Sequence, residues 1–201
     1  CEPGCSKCVA ACKYGAIDLD MKTQEIELEV ASVVVATGWK PYDASKLTNM
    51  GFSSVPNVIN NIMMERLASV SGPTKGKILR PSDQKPVESV VFVQCAGSRD
   101  ENHLPYCSSI CCLGSLKHAK YVLEQNPEAK VHIFYIDIRT PGKYEDFVAK
   151  VQAEPNVNMI KGKVAKIIAG KEGGVMVEAE DILKLGKVHL EVDMVVLATG
   201  M

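Results

Sequence analysis

Hydrophobic positions along the 201-residue chain recur at two periods, and each period predicts a different element. Residues 24–30, QEIELEV, alternate apolar and polar as a half-exposed strand does, and residues 31–38, ASVVVATG, follow as a buried strand. Residues 58–70 carry Ile59, Ile62, Met63 and Leu67 at helical spacing, with the methionines as core filler. Val90 to Val93 form a continuous apolar run, the mark of a buried strand. After a polar interval a helix is predicted from Ser108 or Ser109, with Ile110, Leu113, Leu116 and Ala119 three apart on its inner face. Asn126-Pro127 stops that helix, and residues 131–138, VHIFYIDI, predict the next buried strand. A helix over 143–154 presents Tyr144, Phe147, Val148 and Val151 on one side. Residues 157–192 then break into short strands at Gly162, Gly170, Gly173, Gly174 and Gly186, and residues 192–200, VDMVVLATG, close the chain with another apolar strand. Strands alternating with helices predict an α/β layer structure ending in a β-meander.

Loops fill the gaps. Residues 39–56 hold Pro41, Gly51 and Pro56, and residues 71–87 hold two glycines, three prolines and four basic residues. The second reads as a linker, with a domain boundary near Pro86.

The turn between the strand at 90–93 and the following helix carries the most informative chemistry. In an open α/β sheet, ligands dock beyond the carboxyl ends of the strands, and a dinucleotide site would place G-x-G-x-x-G there. This chain has Cys95-Ala96-Gly97-Ser98-Arg99-Asp100 instead, followed by Cys107 and the adjacent pair Cys111-Cys112. The phosphate-cradling glycines are replaced by thiols. Four clustered cysteines can ligate an iron–sulfur cluster, bind structural zinc, pair as a redox dithiol or fill a core. Structural zinc usually comes as two C-x2–4-C knuckles, which an adjacent pair does not make, so the spacing favours a cluster while leaving the others open.

A second group stands at the amino terminus: Cys1-x3-Cys5-x2-Cys8-x3-Cys12. The bacterial ferredoxin run is C-x2-C-x2-C-x3-C-P. The last two intervals match it; the first is one residue longer, and Lys13 stands where proline is usual. Zinc or a dithiol at Cys5 and Cys8 are the other readings of this group.

Composition narrows the function classes. The chain has 23 basic and 24 acidic residues, so it carries no charge footprint for nucleic acid. Its apolar stretches are too short to span a bilayer. Eight cysteines in two tight groups point to cofactor ligation in a reducing cytoplasm rather than a secreted disulfide scaffold. Asp137 sits where a dinucleotide fold keeps an acid for the ribose, but without the phosphate loop a structural role is favoured. His103, His118, His132 and His189 are scattered and read as surface or internally satisfied residues, His103 being the nearest to a candidate ligand. No nucleophile–base pair stands out, which suits electron transfer better than hydrolysis. The chain starts inside a cysteine motif and stops at a strand end, which reads as part of a larger polypeptide.

The order of motifs is specific: ferredoxin-like cysteines, a strand ending Ala36-Thr37-Gly38, the linker, V-V-F-V-Q-C-A-G-S-R-D with P-Y-C-S-S-I-C-C, a βαβ unit, a meander and a second strand ending Ala198-Thr199-Gly200. Over its whole length the chain resembles the flavin-containing A subunit of heterodisulfide reductases, and also the related A subunit of the quinone-interacting membrane-bound oxidoreductase of sulfate reducers. The resemblance implies an α/β, thioredoxin-reductase-like fold of two dinucleotide-binding domains, of which this chain is a fragment. Its parts would be a ferredoxin-like cysteine segment at 1–23, part of the FAD-binding domain plus linker at 24–86, a Rossmann-like βαβ domain with its meander at 87–192, and a return strand to the FAD domain at 193–201. It implies [4Fe-4S] ligation by Cys95, Cys107, Cys111 and Cys112, a ferredoxin motif at Cys1, Cys5, Cys8 and Cys12, and flavin contact at Thr37, Gly38, Thr199 and Gly200. The implied function is that of an oxidoreductase subunit relaying electrons between FAD and clusters in an anaerobic respiratory complex, for quinone-linked sulfate reduction or heterodisulfide reduction. Partner subunits would include a membrane quinone-linked one, and the protein would be cytoplasmic or peripheral to the inner membrane face through those partners. A pyridine-nucleotide-disulfide oxidoreductase domain and a zinc-binding scaffold module are the alternatives.

Overall fold

A computed structural model describes residues 4–201, so Cys1 lies outside the described residues. The chain divides into two compact units, the first ending at Gly38 and the second running Trp39–Met201.

The first unit holds one short helix, α1 (Lys7–Ala11), which buries no residue and has no side-chain cap. The two strands expected at 24–30 and 31–38 do not form: no residue from 22 to 38 is in a strand, and Ile26, Leu28, Val30, Val33, Val34 and Val35 are all exposed. The physical reason is partnership. Alternation marks a face that wants burial, but a strand also needs a neighbour for its N–H and C=O groups, and the described residues of this unit supply none.

The second unit is built on one seven-stranded sheet. In chain order its elements are β1 (Val58–Asn60), α2 (Asn61–Ala68), β2 (Ser89–Ala96), α3 (Cys111–Gln125), β3 (Lys130–Tyr135), α4 (Glu145–Gln152), β4 (Val157–Ala169), β5 (Val175–Asp181), β6 (Gly186–Val192) and β7 (Met194–Thr199). The strands lie in the order β1-β7-β2-β3-β4-β5-β6. The first five pair in parallel, and the β4, β5 and β6 hairpins are antiparallel. Central β2 and β7 are Val-rich and buried on both faces, as parallel strands covered on two sides must be.

Two cores sandwich the sheet. On one face α2, α3 and α4 pack Met64, Leu67, Leu116, Ala119, Val122 and Val151 against Val90, Phe92, Ile133 and Val196. On the other face the 44–55 loop and the meander pack Leu47, Met50, Val164, Val175 and Val177 against Val91, Val93, Phe134 and Leu197. Phe92, wholly buried, contributes roughly 1.5–3 kcal/mol by leaving water.

Three expectations shift. The strand at the chain's end sits inside this sheet, between β1 and β2, rather than outside it. The supposed linker is anchored: Ile78, Arg80 and Val87 are buried, and Arg80 pairs with Asp193 at 3.0 Å, whose other carboxylate oxygen accepts from the Glu88 and Ser89 amides. No division between units therefore falls near Pro86; a Gly/Pro-rich composition records turns, not the loss of contacts. Finally, α2 starts only at Asn61, because Val58–Asn60 pairs with β7 and the Asn60 side chain accepts from the Met63 amide as an N-cap. That phase buries Ile59, Met64 and Leu67 and leaves Ile62 and Met63 about two-fifths exposed.

Candidate functional site at the end of the central strands

Past Val93 the β2 ladder slips, so that Gln94 and Cys95 together stand opposite the single residue Ala198 of β7. Cys95, Arg99 and Ser109 all have left-handed φ values (56°, 57° and 59°), as does Gly97 at 78°. Non-glycine residues held there cost of order 1–3 kcal/mol each and persist where the surroundings over-determine them. Gly97 is obligatory for a second reason: a Cβ on it would lie 2.6 Å from the Tyr42 ring. The loop is pinned by Leu104 N–H donating to Gly97 O (2.9 Å) and Arg99 N–H donating to Tyr106 O (3.0 Å). The Tyr42 hydroxyl pairs with Nδ1 of His103 at 2.7 Å, so one ring nitrogen of His103 is engaged within the loop.

The helix α3 begins at Cys111, two or three residues later than its sequence suggests. Its buried stripe is Cys111, Cys112, Ser115, Leu116, His118, Ala119, Val122 and Leu123, so the cysteine pair takes the inward place expected for Ile110 and Leu113. Each thiol of the pair thereby reaches the backbone at the end of a neighbouring strand. Cys111 donates to Thr199 O at the end of β7 (3.7 Å), and Cys112 donates to Asp137 O just past β3 (3.8 Å). Backbone amides point at two sulfurs: Arg139 N–H at Cys112 (3.4 Å) and Ser109 N–H at Cys107 (3.4 Å).

Burial, followed by the neighbouring Cys112, Cys95 and Cys107, pushes the Cys111 thiol up to about 12. Burial and then Cys112 raise Cys95, against the pull of Arg99; burial also raises Cys112, against the Arg139 amide. Neighbouring sulfurs thus add to the burial that opposes ionisation of Cys95, Cys111 and Cys112, and a bound metal centre would release their protons. Donor type and count fit a cluster held by four thiolates, and the two amides aimed at sulfur fit thiolate ligands. Among the described residues no three His, Cys, Asp or Glu side chains close on a single metal ion.

Asp137 is structural in the sense expected of it. Its carboxylate pairs with Arg99 from the β2 loop and with Arg139 (3.2 Å), tying the β2 loop, which carries Cys107, to the loop after β3. A cavity of about 370 Å³ opens beside the β2 loop, bordered by Gln94, Cys95, Ser98, His103, Phe134 and Lys163.

Thr199 is wholly buried and its hydroxyl donates to Asn61, which in turn donates to the Thr199 carbonyl (2.9 and 3.0 Å). Its side chain is therefore committed to locking α2 onto β7. Gly200 is needed for space, since a Cβ there would fall 2.3 Å from the hydroxyls of Ser98 and Ser108. Asn61 and Arg139 were missed by sequence reasoning; an Asn-Asn pair at a helix start was the only signal for the first, and nothing marked the second.

In the first unit, Cys5 and Cys12 are half-buried and Cys8 is exposed on α1. The Ala16 amide donates to the Cys12 sulfur at 3.4 Å, and this bond, with further help from Tyr14, holds the thiol below its ordinary value. Thr37 and Gly38 are exposed at the end of this unit; Gly38 has φ 71° and open space where a Cβ would stand. No helix of the described residues is long and apolar enough to cross a membrane.

No protein-family model matches the chain. It is 42% identical over 199 residues to the A subunit of the ferredoxin:CoB-CoM heterodisulfide reductase of Methanosarcina mazei, a match covering 98% of this chain and 25% of that protein. It is 40% identical over 200 residues to the iron-sulfur A subunit of the CoB-CoM heterodisulfide reductase of Methanocaldococcus jannaschii, covering 98% of this chain and 30% of the relative. The chain thus spans between a quarter and three tenths of the length of these curated relatives. Among solved structures, a thioredoxin reductase from Giardia duodenalis superposes with a TM-score of 0.41 at 15% identity, over 72% of this chain and 36% of that one. So partial a superposition adds nothing to the sheet order described above.

Proposed function

The chain belongs to the family of heterodisulfide reductase A subunits, and from that premise we propose that it is the part of an electron-transfer oxidoreductase subunit in which Cys95, Cys107, Cys111 and Cys112 hold a [4Fe-4S] cluster. What supports the reading is that β2 with its loop and the first turn of α3 carry these thiols to the end of the sheet where a dinucleotide fold would cradle phosphate. A second cluster is assigned to Cys5, Cys8 and Cys12 together with Cys1, whose position lies outside the described residues.

Clusters accept electrons singly, and a flavin accepts two and passes them on one at a time. The chain's own contribution to the cluster site is to aim the Arg139 and Ser109 amides at sulfur, to bury Cys111 and Cys112 away from water, and to hold the β2 loop against the loop after β3 through Asp137. Thr37 and Gly38 in the first unit, and Gly200 in the second, would each contribute backbone to FAD in the full-length protein, while the hydroxyl of Thr199 is already committed to Asn61. The relay would run within a multisubunit complex that reduces a heterodisulfide or serves quinone-linked sulfate reduction, in the cytoplasm or at the inner membrane face through partner subunits. In the full-length subunit the segments 1–23, 24–86, 87–192 and 193–201 would still trace to a ferredoxin-like insertion, the FAD domain with its linker, the Rossmann-like domain and the return strand, although residues 39–201 of this chain form one compact unit.

The test is the metal content of the anaerobically purified chain. Iron with acid-labile sulfide, a broad sulfur-to-iron absorption and an EPR signal on reduction are expected. The double change Cys111→Ser and Cys112→Ser should remove one cluster's iron, because hard hydroxyls replace soft thiolates. An unchanged iron count in that variant, or zinc in place of iron, would overturn the assignment.

A further inference from the structure

Behind the cysteine pair lie polar atoms that the protein itself leaves without partners. Gln94 is only 6% exposed, yet neither its amide nitrogen nor its amide oxygen has a hydrogen bond; Ser115 is 1% exposed and its hydroxyl has none. Buried side-chain polar groups are nearly always paired, and two orphans beside one site point to a partner that the chain does not supply.

Their placement says where that partner belongs. Gln94 lies where the regular alternation of β2 breaks, and it borders the same cavity as its neighbour Cys95. The slip in the ladder then sets Gln94 beside Cys95, both opposite Ala198. Ser115 stands four residues after Cys111 and three after Cys112, so it shares the buried stripe of α3 with both. Cys95, Cys111 and Cys112 are three of the four proposed ligands. The orphaned groups therefore flank the cluster position from the strand side and the helix side.

We propose that Gln94 and Ser115 donate hydrogen bonds to sulfur atoms of the cluster held at Cys95, Cys107, Cys111 and Cys112, and thereby raise its reduction potential. This rests on the cluster reading given above. Gln94 brings two N–H donors and Ser115 one O–H, and thiolate or sulfide sulfur can only accept. Reduction adds negative charge to the cluster, and a donor aimed at sulfur stabilises the more negative form, so hydrogen bonds to sulfur are among the settings of cluster potential. Neither residue is a ligand, and removing either should leave the metal in place.

The experiment is an anaerobic redox titration of the iron-loaded chain followed by EPR, for the parent protein and for Gln94→Leu, Gln94→Glu and Ser115→Ala. At the parent's midpoint poise, Gln94→Leu should lower the ratio of reduced to oxidised cluster about tenfold, which for a one-electron couple is a shift of about 59 mV. Gln94→Glu, of the same size but without donors when ionised, should lower it at least as far. Ser115→Ala, which keeps a good helix former in α3, should lower it by a smaller factor. Iron and sulfide counts should equal the parent's in all three. Unchanged counts with unchanged midpoints would overturn the tuning role and leave the ligand assignment standing; water from the adjacent cavity would then be the partner of Gln94. A parent protein without iron would instead overturn the cluster reading and the tuning role together.

Discussion

The two cysteine groups of this chain are built in opposite ways. In the second unit the ligand candidates hang from the buried ends of a seven-stranded sheet, and each sulfur position follows from contacts far apart in sequence: Cys111 on Thr199, Cys112 on Asp137, the β2 loop on Tyr42. In the first unit Cys5, Cys8 and Cys12 lie on or beside a five-residue helix that buries nothing, and the hydrogen bond to Cys12 comes from a residue only four positions away. An isolated helix below about 12–15 residues is marginal in water. The contrast teaches that cysteines can be placed by a scaffold or by little more than their own short segment, and one chain holds both arrangements.

Iron removal should separate the two most strongly. With the metal chelated anaerobically, amide hydrogen exchange should show residues 4–20 losing protection, because there the ligand bonds are the main source of order. β2, β3 and β7 should stay protected, as their order comes from the two cores on either side of the sheet. Equal loss in both regions would break the contrast.

A change in the scaffold should act the other way. Phe92→Ala removes a wholly buried ring between β2 and α3 and should cost about 3–5 kcal/mol in urea unfolding of the second unit. Exchange in residues 4–38 should be unaffected, and a parallel change there would show that the units are not independent.

Acid should produce a smaller effect confined to the second unit. His118 lies buried between Phe92 and Tyr121, and its Nε2–H donates to Glu65 at 2.6 Å while Nδ1 has no partner. A charged imidazole would leave a second buried donor unpaired, so the ring is neutral; burial pushes it below its ordinary 6.5, against the Glu65 hydrogen bond. Burial acts to raise Glu65, but hydrogen bonds from Lys117 and His118 outweigh it and hold the carboxyl below 4.5. For both groups the unfolded chain binds protons more readily. The imidazole contribution is fully present above pH 6.5 and is lost as pH falls through the lowered folded value; the carboxylate's is lost in the same direction below 4.5. The urea midpoint of the second unit should therefore fall between pH 7 and pH 5, and fall less in His118→Gln. An equal fall in that variant would place the acid sensitivity elsewhere.

The sequence by itself determined what local pattern and residue chemistry can determine. The apolar runs of β2, β3 and β7 and the glycine-broken meander follow from periods that a sheet covered on both faces imposes. The substitution of thiols for a glycine-rich turn was visible because no phosphate loop can be written without glycine. Tertiary structure decided the rest. The start of α2 at Asn61 was set by pairing of Val58–Asn60 with a strand more than 130 residues away, which no helical periodicity encodes. The burial of Cys111 and Cys112 in place of Ile110 and Leu113 depended on where the helix began, and that was fixed by contacts to Thr199 and Asp137. The apolar run at 31–38 carries the same signal as β7 yet forms no strand, because periodicity states what a segment would bury and only a neighbouring strand can complete its hydrogen bonds.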